Sequence, residues 1–388
     1  MRVCMVYDCL FPYTVGGAER WYRNLAQRLA AEGHEVTYVT LRQWPRGERG
    51  EVPGVRVVAV GPRLALYREA GQRRILPPLV FGVGVLWHLL RHGRRYDVIH
   101  TASFPYFSLL AAAVARVVHR FRLVVDWHEL WSREYWHEYL GARAGQVGWW
   151  VQALCLRVPQ QAFCFARLTA ERLRAERVHG PVTVLEGEYV GALTPAAPRP
   201  ADPLVVFAGR HIPEKRAPAI VPAIAAARRT LPDLRARILG DGPERDAVLA
   251  AIAEHGLADA VEAPGFVSSE VVETDLARAL CMVLPSRREG YGLVVVEASA
   301  VGTPCVVVAA PDNAATELVE EGVNGFVAAS AGAEDLADAI LRVYRAGPAL
   351  RASTADWFAR NARRLSLDSS LDRVAESYSA DAVASARS

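Results

Sequence analysis

The chain has 388 residues, enough for two domains of ordinary size, and its 52% hydrophobic and 22% charged content fits a globular protein of the soluble class. A net charge of +3 hides an asymmetry: residues 1–195 carry 25 arginines against 16 acids, and the remainder carries 20 cations against 26 acids. A basic first half can face anionic lipid, nucleic acid or the phosphates of a ligand, and nucleic acid is disfavoured because no recognisable binding motif accompanies the charge.

In chain order, short β-rich runs alternate with helical patterns, the mark of parallel α/β sheets. The opening run Arg2–Tyr7 reads as a strand, which leaves no room for a signal peptide and suggests a cytoplasmic protein. Further strands are expected at Glu35–Leu41, Val55–Val60, Val98–His100, Leu123–Asp126, Ala162–Phe165 and Val182–Leu185, with helices between them such as Ala18–Ala31. The most apolar segment, Ile75–Leu90, contains Pro77, Pro78 and His88 and is too short to span a bilayer. Prolines 195, 198, 200 and 203 crowd behind Gly191 and mark a linker over 191–203. A second cycle follows at Leu204–Ala208, Arg235–Leu239, Val261–Ala263, Cys281–Pro285 and Cys305–Val308, and the tail beyond about residue 350 is helical with a Ser/Ala-rich end expected to fray. The organisation read from this is a doubly wound domain over 1–190, the linker, a second over 204–350, and a helical segment over 351–388 crossing back to the first domain. Open parallel sheets bind ligands at the carboxyl ends of their strands, so the expected site is the cleft between two such domains. The six cysteines show neither CxxC nor zinc spacing and fit a reducing compartment.

Four segments follow predicted strands and carry chemistry. In Pro12-Tyr-Thr-Val-Gly-Gly-Ala-Glu-Arg20, Gly16 and Gly17 precede a helix whose free amides can meet an anion, and an ordinary glycine turn is the plain alternative. His128, in Val124-Val-Asp-Trp-His-Glu129, lies in the loop past a buried strand, where it can bond a ligand hydroxyl or simply be a satisfied loop histidine. Phe207-Ala-Gly-Arg-His-Ile-Pro-Glu-Lys-Arg216 holds Lys215, the single lysine among 45 Lys and Arg. A compact ammonium kept among so many guanidinium groups points to phosphate, and Arg210 with Lys215 can grip two of them. The strongest segment is Pro285-Ser-Arg-Arg-Glu-Gly-Tyr-Gly-Leu-Val-Val-Val-Glu297. Glu289 stands on its loop, Gly290 and Gly292 leave amides open at a helix start, and Glu297 lies two turns further, where a carboxylate needs a partner such as ribose hydroxyls.

These segments, with Gly240-Asp-Gly-Pro-Glu-Arg245 and Glu321-Gly-Val-Asn-Gly-Phe-Val327, occur in the order found in family 4 retaining glycosyltransferases of the GT-B fold, and the chain resembles that family over nearly its whole length. The resemblance implies two Rossmann-like doubly wound domains facing across a cleft, and transfer of a hexose or N-acetylhexosamine from a nucleoside-diphosphate sugar, UDP-sugars slightly before GDP-mannose, to a hydroxyl of a small-molecule or lipid-linked acceptor. It implies no cofactor and no metal, with Arg210 and Lys215 stabilising the leaving diphosphate. Glu289 would hold donor-sugar hydroxyls, assisted by amides of Gly290, Tyr291, Gly292 and Leu293. Glu297 would take the ribose, Phe266 and Val267 the base, Gly16 and Gly17 the diphosphate or the acceptor side, and His128 the donor sugar near its C6 side. A nucleotide-sugar epimerase of the same fold and a non-catalytic nucleotide-sugar binder are the rival readings.

The sequence departs from the family at Leu185-Glu-Gly-Glu-Tyr-Val190, where Glu186 and Glu188 either serve an acceptor or reshape the hinge, and at Pro311-Asp-Asn-Ala-Ala315, which replaces a glycine pair. Trp127, Trp131, Tyr135 and Tyr139 recur every four residues, so a helix would align them as core or as an acceptor platform. The basic stretch Arg63–Arg95 reads either as peripheral contact with anionic lipid or, in preference, as a half-buried helix with arginines at its ends.

Overall fold

The computed structural model describes residues 1–14, 16–66, 73–195 and 199–385, with side chains to residue 378. Parts of the Arg63–Arg95 stretch (67–72), of the linker (196–198) and of the terminal tail (386–388) lie outside the described residues. The chain divides into two compact units, one of residues up to 185 and from 370 onward, the other of residues 186–369.

Unit one is built on a seven-stranded parallel sheet: β1 (Arg2–Val6), β2 (Glu35–Thr40), β3 (Arg56–Ala59), β4 (Val98–Ala102), β5 (Arg122–Trp127), β6 (Gln161–Cys164) and β7 (Val182–Val184), in the order β3-β2-β1-β4-β5-β6-β7. Its central strands are continuous apolar runs because helices cover both faces: Val3, Cys4 and Met5 of β1 are fully buried and pair with β2 on one side and β4 on the other. The connecting helices are α1 (Gly17–Ala31), α2 (Leu76–His92), α3 (Phe107–Ala115), α4 (Arg133–Leu140), α5 (Ala142–Arg157) and α6 (Arg167–Ala175). The strand order reverses between β1 and β4, so the loops after these strands open the unit's switch point.

Unit two repeats the scheme with six parallel strands: β8 (Leu204–Ala208), β9 (Arg235–Leu239), β10 (Val261–Gly265), β11 (Cys281–Leu284), β13 (Cys305–Val308) and β15 (Gly325–Ala328), in the order β10-β9-β8-β11-β13-β15. The two-residue strands β12 (Arg288–Glu289) and β14 (Asp312–Asn313) pair with each other beyond the ends of β11 and β13. Helices α7 (Ile220–Arg228), α8 (Arg245–Glu254), α9 (Ser269–Arg278), α10 (Leu293–Ala300) and α11 (Ala333–Leu365) complete it. α11 is two helices joined at Gly347, whose φ of +58 precedes Pro348. Here the strand order reverses between β8 and β11.

The last helix, α12 (Leu367–Ser385), returns the chain to unit one. Arg122 donates to the carbonyls of Ser377 and Tyr378, and the buried Tyr378 hydroxyl lies 2.5 Å from His100 Nδ1. All six cysteines are unpaired and buried. No described helix is long and apolar enough to cross a membrane.

The expected four-residue aromatic helix does not form as read. Trp127 is the last residue of β5, fully buried, with its indole N–H on Gln160, and Ser132 starts α4 by capping Tyr135. Trp131, Tyr135 and Tyr139 still meet, with ring centroids 4.8 to 6.1 Å apart, because the loop turns Trp131 back onto the helix. Glu186, expected to serve an acceptor or reshape the hinge, has a partner within its own unit. Glu186 takes Arg364 at 2.8 Å, and the backbone of Tyr189 bonds Leu365 and Leu367 across the turn between α11 and α12.

Candidate active site

In unit two, the segments after β8 and β11 flank the switch point, and a backbone bond from Arg287 N–H to Glu214 carbonyl (2.9 Å) joins them. The consequence is a direct ion pair. Lys215, on a single 3-10 turn capped by the left-handed Arg216, places Nζ 2.5 Å from Glu289 Oε1. Ser286 Oγ donates to the same carboxylate oxygen at 2.7 Å. Glu289 is held in β12, whose partner Asn313 donates to the carbonyls of Ser286 (3.1 Å) and Val308 (2.8 Å). Arg288 pairs with Asp312 at 3.1 Å, which fixes the other register position of this short ladder. The sequence reading had coupled Lys215 with Arg210; the structure couples it with Glu289 and leaves Arg210 at the exposed end of β8, its guanidinium without an acceptor among the described residues.

Gly290, Tyr291 and Gly292 lead into α10, and Gly292 at φ +100, ψ +48 is its N-cap. The left-handed backbone favours glycine there, and a β-carbon would also stand 2.6 Å from Cβ of Ala315. No side chain caps α10, which leaves its first amides without a capping partner, as an anion site requires. The Tyr291 side chain is structural: its hydroxyl donates to Glu186 carbonyl at 2.6 Å, and burial, with Glu188 nearby, pushes its pKa far up. Leu293 begins α10, and Glu297 is half-buried further along the helix, where its charge helps raise the Tyr189 hydroxyl after burial has done so. Phe266 follows the end of β10 and is 83% exposed, with Val267 half-buried beside it.

Gly16, Gly17 and His128 belong to unit one. Gly16 has extended backbone open to any residue, and a β-carbon there would meet the far end of the Glu19 side chain, Oε2 at 2.3 Å. Gly17 opens α1, is exposed and has nothing near its missing side chain. The His128 ring stacks on Phe165 at 4.7 Å and leaves Nε2 shut from solvent with no partner among the described residues. Burial, then His100, lowers its pKa, with Asp126 opposing, so the imidazole is held neutral. Behind it, Asp126 accepts from Trp21 Nε1 (2.7 Å) and His100 Nε2 (2.8 Å). Burial alone would raise the Asp126 pKa; His100, His128 and Trp21 together hold it below the usual range.

Sequence reasoning missed Glu19, Ser286, Asn313 and the pair Asp126 and His100. Glu19, Ser286, Asp126 and Asn313 lie inside the quoted segments; His100 acts through contacts distant in sequence, for which no local signal exists.

Two doubly wound parallel-sheet units are the layout of the GT-B fold, and one switch point carries a cation–carboxylate pair beside an uncapped helix N-terminus. Residues 15–187 match the family model "Glycosyltransferase Family 4", and residues 195–364 match "Glycosyl transferases group 1". The chain belongs to the group 1 glycosyltransferases. It is 32% identical over 218 residues to the alpha-D-kanosaminyltransferase of Streptomyces kanamyceticus, a match over 53% of this chain and 55% of that protein, and so spans about half the length of that relative. It is 28% identical to the glycogen synthase of Mycobacterium tuberculosis over 87% of this chain and 84% of the relative. Among solved structures, a sucrose-phosphate synthase from Thermosynechococcus elongatus superposes with a TM-score of 0.80 at 21% identity, covering 99% of both chains. The Anabaena protein HepE in complex with UDP gives 0.74 at 20% identity, covering 98% of this chain and 100% of that one. At these identities the structures speak for the fold alone.

Proposed function

We propose that the chain is a retaining, metal-independent glycosyltransferase that moves a hexose or N-acetylhexosamine from a nucleoside-diphosphate sugar, a UDP-sugar by preference, to a hydroxyl acceptor. The observation that carries this reading is the Lys215–Glu289 pair at the start of α10 with Arg210 exposed beside the same switch point. Lys215 and Arg210 supply fixed positive charge where a diphosphate gathers negative charge as it departs. Glu289, already oriented by Ser286 and Lys215, presents its carboxylate to sugar hydroxyls, and the amides of Gly290 to Leu293 serve hydroxyl or phosphate oxygens. Glu297 binds the ribose, and the backbone of Phe266 and Val267 meets the base.

The sugar C1–O bond to the diphosphate breaks through an oxocarbenium-like state. The acceptor oxygen bonds C1 on the face being vacated, and its proton leaves with the diphosphate. In unit one, the neutral His128 serves the donor sugar, and Gly16 and Gly17 open the amides of α1. The acceptor is a small molecule or a lipid-linked glycan, and the six unpaired buried cysteines accord with a cytoplasmic setting. The UDP named in the HepE structure and the transferase names of the relatives support this class of donor.

The test incubates the protein with UDP- and GDP-sugars and a panel of hydroxyl acceptors. Nucleoside diphosphate release with a glycoside of unchanged anomeric configuration, read by NMR, is expected. Epimerised sugar without a transfer product, or tight donor binding with no turnover on any acceptor, would overturn the reading.

A further inference from the structure

Helix α2 is apolar on two opposite sides. Phe81, Gly82, Val85 and Leu89 are buried in unit one. The other side carries Leu76 (62% exposed), Leu79, Val83 (70%), Trp87 (58%) and Leu90. Their spacing of three and four residues sets them in one stripe roughly 80° wide at 100° per residue. A helix on the surface of a soluble domain presents charged and polar residues in that direction, and a contiguous apolar surface marks an interaction site.

The stripe continues onto neighbouring helices. The connections from β3 to β4, β4 to β5 and β5 to β6 all run the same way across the sheet. Right-handed crossovers therefore set α2, α3 and α5 on one face. The ends of α2 and α3 touch through His119, whose Nε2 lies 3.0 Å from Leu90 carbonyl, and Val117, just past α3, is 86% exposed. On α5, Val147, Trp150 and Leu154 are exposed at helical spacing.

Charge decides the occupant. Between Glu69 and Asp126 the only acid is Asp97, already taken by Arg2 at 2.7 Å, against eight arginines. Arg91 lies 4.0 Å over the Trp87 ring, and Arg91, Arg94, Arg95 and Arg120 are exposed around the ends of α2 and α3. A protein-binding patch has a core depleted of charge, whereas an apolar stripe with Trp and a rim of arginines matches the plane between acyl chains and anionic headgroups. A 17-residue helix with such a stripe suits that plane rather than a crossing of the bilayer.

We propose that the α2–α3–α5 face of unit one docks on an anionic lipid bilayer, with the apolar stripe of α2 inserted and the arginines on headgroup phosphates. The full chain is sedimented with vesicles of phosphatidylcholine alone and with vesicles of about one third phosphatidylglycerol. Strong binding to the anionic vesicles, weakened by added salt, is expected. Val83→Glu with Trp87→Glu should lower that affinity by at least about tenfold, and Arg91→Glu with Arg94→Glu by a similar factor, since both sets remove one of the two attractions. All four positions are exposed, and unchanged thermal unfolding checks that the variants fold. The proposal falls if the parent stays in solution with anionic vesicles, or if both double variants bind as the parent does. It also falls if the parent is a dimer that ignores lipid and Val83→Glu with Trp87→Glu makes it a monomer.

Discussion

Lys215 Nζ and Glu289 Oε1 lie 2.5 Å apart, across 74 residues of sequence and at the two strand ends that frame a switch point. Both groups are largely shielded, the lysine side chain 20% exposed and the glutamate 9%. Each therefore holds the other in place, and the proposed diphosphate would meet a cation already oriented.

Replacing Lys215 by alanine removes the charge and strands the Glu289 carboxylate in a confined setting. Turnover in a diphosphate-release assay should fall roughly 10²- to 10³-fold, the scale of losing one fixed electrostatic contact in a transition state. Lys215→Arg should recover part of the loss, because charge returns with the wrong shape. Unchanged turnover in Lys215→Ala would remove the lysine from the chemistry.

Gly292 adopts φ +100, and a β-carbon on it would stand 2.6 Å from Cβ of Ala315. Alanine at 292 combines left-handed strain with overpacking, each costing about 1–3 kcal/mol. Gly292→Ala should lower unfolding free energy by about 2 kcal/mol or more in denaturant titration. Gly17→Ala, at an exposed position with open space, should differ from the parent by under about 0.5 kcal/mol.

The two sheets were legible because parallel strands buried on both faces are written as apolar runs, and each of the twelve expected strands is present within a few residues of its expected bounds. Gly325–Ala328 escaped as a strand because Gly-Phe-Val-Ala is short and begins with glycine; β12 and β14, of two residues each, have no period to detect. The site was legible where chemistry is local, as in the glycines before α10 and the isolated lysine. It was hidden where chemistry is relational. Lys215 read naturally with Arg210, five residues away, and only the fold gives it Glu289. The four-residue recurrence of Trp127 misled because period alone does not know where β5 ends.

His88, on α2 with its Nε2 2.8 Å from the Tyr96 hydroxyl, is held to a pKa of about 4 by burial first, then by His92 and Arg56. In the unfolded chain the same group protonates near 6.5. Between these values the unfolded state binds the extra proton, so this contribution to stability is complete above about pH 6.5 and is lost as pH falls toward 4. His88→Gln keeps a hydrogen-bonding side chain but does not titrate. Its unfolding free energy should vary less than the parent's between about pH 7 and pH 4.5, while His34, His128 and His211, also lowered, keep some slope in both. Identical slopes would show that His88 does not carry the dependence.

Tyr378 ties α12 to the centre of the first sheet. The Tyr378 hydroxyl lies 2.5 Å from His100 Nδ1, and the other ring nitrogen lies 2.8 Å from Asp126, which is held ionised. Burial, then Asp126, pushes the tyrosine pKa well up, which keeps its proton in place. Both side chains are fully buried, and removing the hydroxyl leaves Nδ1 without this partner. Tyr378→Phe should therefore lower unfolding free energy by about 1–3 kcal/mol, the cost of a stranded buried polar group. His100→Phe in the same background should cost less than its effect on the parent, since the contact with Tyr378 is already lost. Strict additivity of the two substitutions in a denaturant-based double-mutant cycle would show that the 2.5 Å contact carries no coupling.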